Sequence, residues 1–76
     1  MTDTAEKVLA IATEYLGPSA GKFLDRQTRG HMEDQPFELI EPFHTEKLAF
    51  WIIVSAKLLI GKEKAEEFSK RVSEIK

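Results

Sequence analysis

Three cations, Lys22, Arg26 and Arg29, follow one another at i, i+4 and i+7, a spacing that sets them on one face of a helix. Guanidinium groups pair bidentately with phosphate or carboxylate. This stripe, extended by His31, is therefore where the chain could hold an anion, an acidic partner or RNA. Asp25 lies beside it and offsets part of its charge, as on the solvated face of an ordinary amphipathic helix.

A second grouping lies in the most hydrophobic run, Leu48 to Ile60. At about 100° per residue, Glu46, Phe50, Ile53 and Lys57 fall close together, with Val54 alongside. Leu48, Ile52, Ser55, Ala56 and Leu59 form the opposite face, and Trp51 lies near Leu58, where burial is expected. A lysine stem can lie along apolar surface with its amine in water, so Lys57 marks the edge nearest solvent. Either the last helix and the Pro-rich connection cover Phe50 and Ile53 within one chain, or a second molecule does. Small size favours the second molecule, which makes Phe50, Ile53, Val54 and Lys57 the expected interface.

Other chemistry is poorly provided for. His31, Glu33, Asp34 and His44 flank an irregular segment without a metal-ligand spacing, so no metal site is expected. Gly17-Pro18-Ser19-Ala20-Gly21-Lys22 has three residues between its glycines and Phe23 after the lysine, which excludes a Walker loop. Ser19, Ser55, Ser69 and Ser73 lie in no nucleophile-elbow pattern. The paired carboxylates Glu66-Glu67 sit on a wet helix with no cause for a raised pKa. Neither an enzyme nor a cofactor is expected.

The elements that must position these residues are helical. The first helix runs from about Thr4 to Leu16, with Asp3 and Glu6 as a capping-box-like pair and Ala5, Val8, Leu9, Ala12, Tyr15 and Leu16 on its inner face. Gly17 and Pro18 stop it. The second covers Pro18 to Arg29 and ends at Gly30, with Ala20, Phe23, Leu24 and Gln27 inward. Gly21 either admits a neighbouring backbone or only weakens this helix.

Pro36 and Pro42 bracket Phe37-Glu38-Leu39-Ile40-Glu41, which reads as one helical turn capped by Asp34, with an extended segment as the alternative. Phe37, Leu39, Ile40 and Phe43 are expected to plug one end of the core, while Met32 is either a plug or exposed. The third helix spans Thr45 or Glu46 to Ile60 and ends at Gly61; apolar on nearly every side, it is expected to be surrounded. The fourth, about Lys62 to Ile75, turns Ala65, Phe68, Val72 and Ile75 inward. Its Glu63, Glu66, Glu67, Lys70 and Arg71 recur at i, i+4 on the wet side. The expected fold class is all-α: one domain, residues 1–76, a compact bundle of three to four helices around a central hydrophobic helix.

Composition sets the outer bounds. Eleven Lys and Arg against thirteen Asp and Glu give a net charge of -2, which disfavours a general nucleic-acid binder. With 42% hydrophobic and 32% charged residues the chain is ordinary globular material. No cysteine is present, so disulfides and thiol chemistry are excluded. The acidic start, Met1-Thr2-Asp3-Thr4-Ala5-Glu6, and a longest greasy run of about thirteen residues fit neither a leader nor a membrane span, so a cytoplasmic protein is expected. At 76 residues a chain seldom buries enough apolar surface alone, and association, most simply a homodimer, becomes the default.

Tyr15-Leu16-Gly17-Pro18-Ser19-Ala20, followed by Phe23-Leu24, resembles a YLGP-x-A segment in small uncharacterised helical domains of bacterial signalling proteins. That resemblance implies a regulatory or scaffolding role and carries no catalytic residue with it. The function expected is a helical protein–protein interaction module. Anion or nucleic-acid binding through Lys22, Arg26 and Arg29 is the alternative.

Overall fold

Thr2, rather than Asp3, opens the first helix. Its hydroxyl oxygen accepts the Ala5 N–H at 3.1 Å and donates to the Ile40 carbonyl at 2.5 Å. In the computed structural model, which describes residues 1–76, four α-helices follow in order: α1 (Asp3–Leu16), α2 (Ala20–His31), α3 (Thr45–Ile60) and α4 (Lys62–Ser73). No strand is present, and the chain is an all-α bundle as its periodicity demands. None of its helices is long and apolar enough to cross a membrane.

The Gly17-Pro18 junction forms a 3₁₀ turn, Gly17–Ser19, with Gly17 at φ 61° ending α1. α2 begins only after it and runs through Gly30 to His31, so Gly30 is not its terminator. A glycine inside a helix costs stability without breaking the hydrogen-bond ladder, and here packing outweighs it. Nothing lies within 4 Å of where a Cβ on Gly21 would stand, so the backbone approach considered for that residue is absent.

The proline-bracketed connection is a turn, as favoured, but a 3₁₀ one: Phe37–Leu39, then a second at Pro42–His44. Asp34 does not cap it; Asp34 sits at φ 56° in the loop, and the Phe37 N–H donates to Asp25 Oδ1 instead. Residues three apart eclipse in a 3₁₀ turn, so Phe37 and Ile40 both point inward and are buried. Leu39 and Phe43 do not plug the core as expected. They are 55% and 79% exposed, with the Phe43 ring leaning on His44. Met32 is a buried plug.

α3 and α4 form the tightest pairing. Ala49 and Ala56 on α3 meet Ala65 and Ser69 on α4, all buried, and the Ser69 hydroxyl reaches the Ala49 carbonyl at 2.7 Å. Gly61, at φ 88°, makes the reversal between them in one residue. α1 closes over α4 through Tyr15, whose ring stacks on Phe68 at 5.0 Å and 9°. Fifteen apolar residues are buried in one cluster, and no buried side-chain nitrogen or oxygen lacks a partner. The radius of gyration, 10.7 Å, is no larger than the ~11 Å expected for this length. One chain thus closes its own core, without cysteine or a second copy.

Gly21 therefore tests the local accounting. With open space at its Cβ and an ordinary helical φ, Gly21→Ala is expected to raise unfolding stability by about 0.5–1 kcal/mol, read as a higher urea midpoint at unchanged slope. A lower midpoint would mean that a contact at this position depends on the missing methyl.

Candidate interaction surface

α3 is held on two sides. Leu48, Ile52 and Ala56 face the core, fully buried, and α4 lies along the flank next to Ala49. On the other flank the Ser55 hydroxyl donates to Gln27 Oε1 of α2 at 2.8 Å, and the His31 ring stacks on Trp51 at 3.8 Å and 7°. Nothing covers the third side. The expectation that α3 would be surrounded therefore fails for one face, because α1, α2 and α4 all lie on its core side and flanks and none crosses the remaining side.

That open face carries Phe50, Val54 and Leu58 at i, i+4 and i+8, exposed to 58%, 43% and 89%. The Phe50 and Trp51 rings form a T-shaped pair at 5.0 Å and 84°. Of the four residues singled out, Phe50, Val54 and Lys57 are exposed together, whereas Ile53 is half-buried against α4 beside Ala65. Leu58 and Leu59, expected on other sides of α3, are both exposed, since they lie in its last turn, where neighbours run out. The missed signal is Lys47: it lies about 80° from Lys57 on the helical wheel, with Phe50 and Val54 between the two lysines and Leu58 about 20° beyond Lys47.

The basic stripe is also on the surface, but its members differ. Arg29 Nε donates to Asp25 Oδ2 at 2.8 Å and its guanidinium reaches Asp34 at 3.6 Å. Lys22 and Arg26 are exposed and in no ion pair. His31 is not an extension of the stripe, because its ring is committed to Trp51.

A third polar cluster sits between α1 and α4, around an open cleft of about 360 Å³ lined by Glu14, Tyr15, Ile60, Lys64, Glu67 and Arg71. Arg71 donates to both Glu14 oxygens, at 3.0 and 2.9 Å, and lies 5.7 Å above the Tyr15 ring. The Tyr15 hydroxyl donates to Glu67 Oε1 at 2.5 Å. These partners replace the within-helix pairs expected along α4. Burial raises the Tyr15 hydroxyl pKa and the Glu67 bond adds to it, while Arg71 opposes both. Glu14, Tyr15, Glu67 and Arg71 are thus bonded to one another across the two helices as a strut, with Lys64 beside them in no ion pair. No three His, Asp or Glu side chains gather as a metal-holding group.

Comparison with known proteins finds no matching family model, no similar curated protein and no similar solved structure.

Asp25 links the basic stripe to the fold. The Phe37 N–H on one oxygen, and Arg29 on the other, hold its carboxyl below the ordinary carboxylate range against a smaller opposing effect of burial. A depressed native pKa adds stability that is complete above the unfolded value, ~3.9, and is lost as pH falls through the native one. Asp25→Asn is expected to flatten that acid limb of the stability profile below about pH 4, measured as urea midpoint against pH. An acid limb of unchanged steepness in the variant would assign it to other carboxylates.

Proposed function

We propose that this chain is a helical protein–protein interaction module that self-associates through the open face of α3. One observation carries the reading: the chain completes its core alone and still leaves Phe50, Val54 and Leu58 in water, flanked by Trp51 and bounded by Lys47 and Lys57. Isolated exposed apolar residues are ordinary, but a contiguous stripe rimmed by charge is the signature of a contact surface. The aromatic pair Phe50–Trp51 gives it a rigid anchor of the kind that dominates binding energy. The cytoplasmic setting and regulatory role expected from the sequence belong to the same proposal, and catalysis does not.

The stripe spans about 12 Å of helix, from Phe50 to Leu58. A standard interface takes ~800 Å² from each partner, close to one-sixth of this molecule's 4719 Å² surface. One helix face falls short of that, so the expected dimer is weak, with half-association at roughly 10–100 μM. Sedimentation between 5 and 500 μM (on the order of these values by the same arithmetic) tests it. The wild type is expected to shift from monomer to dimer, and Leu58→Asp to remain a monomer throughout with unchanged helix content. A wild type that stays monomeric at the top of the range overturns the reading.

Lys22 and Arg26, both free of ion pairs, favour a second reading: binding of phosphate-bearing polymer along α2. Only two free cations support it, so it ranks behind self-association. An RNA titration at rising salt is expected to show at most weak binding with a shallow slope, near two counterions released, abolished by the double change Lys22→Ala, Arg26→Ala. A slope several-fold steeper, insensitive to both substitutions, would point to a different basic surface.

A further inference from the structure

Resting on the self-association reading, we propose that the occupant of the open face is the same face of a second copy, with the two α3 helices antiparallel about a two-fold axis at Val54. Isologous contacts need a self-complementary surface, and the exposed Phe50, Val54 and Leu58 supply one whichever way the two helices run. Reversed about Val54, Phe50 comes level with the partner's Leu58 and Val54 with the partner's Val54. Two exposed apolar pairs and a central one then fill consecutive layers.

Charge decides between the two directions. In a parallel pairing Lys47 lies level with the partner's Lys47, and Lys57 with the partner's Lys57, so like charges meet at both ends of a small apolar contact. In the antiparallel pairing Lys47 comes level with the partner's Gly61, where α3 has ended, so neither lysine of α3 meets its own counterpart. Lys57 comes level with the partner's Trp51 and beside the partner's Phe50. A lysine stem can cover apolar surface there while its ammonium sits over an aromatic face. The two lysines that rim the stripe in one molecule thus become part of the contact in a pair.

The absence of cysteine makes the register directly readable. Single-cysteine variants at Lys47, Phe50, Val54 and Leu58, all exposed positions, leave the core intact. Facing helices with axes ~8–10 Å apart bring level Cα atoms within disulfide reach. Each variant is oxidised alone and in mixtures, at a concentration where sedimentation shows wild-type dimer, and cross-linked species are counted on non-reducing gels. The expected result is efficient self-linking of Val54→Cys, and at least fivefold more cross-linking in the Phe50→Cys plus Leu58→Cys mixture than in either alone. Self-linking of Lys47→Cys, or of Phe50→Cys beyond the mixture, means a parallel pair and overturns the register while the dimer stands. A dimer without any of these links lies on another face and overturns the inference as well. Absence of wild-type dimer removes the function proposal itself.

Discussion

The close approach of α3 and α4 is the constraint on which the rest of the molecule depends. Ala49, Ala56, Ala65 and Ser69 are small enough to let two backbones meet, and the Ser69 hydroxyl fastens them at the Ala49 carbonyl. Once α4 is seated there, Phe68 is driven to the centre, where Tyr15 from α1 and Phe23 from α2 gather on its ring. α1 then ties back to the connection through Thr2, and α2 does so through Asp25. Each later contact presupposes the first. The same close pairing sends α4 to one flank of α3 and α2 to the other, so the bare face follows from how the core closes.

Much of this was legible in the residues. Gly17-Pro18 and Gly61 mark helix ends by their backbone requirements, and both lie at ends with positive φ. The i, i+3, i+4 spacing of Ala5, Val8 and Ala12, and of Ala65, Phe68 and Val72, reports burial faithfully, since each stripe has only one way to turn inward. The Thr45–Ile60 span was legible from its ends, the polar Thr45-Glu46 start and Gly61 after Ile60.

What was hidden depended on long-range contacts or on a geometry that periodicity does not encode. Thr2 wins the cap from Asp3 because its hydroxyl also serves Ile40, thirty-eight positions away. Leu39 points outward because in a 3₁₀ turn the inward side recurs every third residue, here Phe37 and Ile40, while Phe43 belongs to a separate turn, Pro42–His44, that starts a new direction. α3 is greasy all round, so a helical wheel of hydrophobicity cannot say which side is bare. That is why periodicity groups Ile53 with Phe50 in the contact and leaves Leu58 out of it, whereas Ile53 is half-buried and Leu58 exposed. Lys57 marked one edge of that side, and Lys47 marked the other, because both charges had to remain in water while the leucines tolerated either side.

The stacked pair His31 and Trp51 has a practical consequence. Trp51 is the sole tryptophan, half-sheltered at the rim of the bare face, with an imidazole flat against its indole and a phenyl at right angles beside it. Its ultraviolet emission therefore reports from one place alone. The colour and intensity of that light register water leaving the rim when a visitor docks, and register α2 lifting away when the bundle loosens. The molecule carries its own lamp at the doorstep, with no dye required.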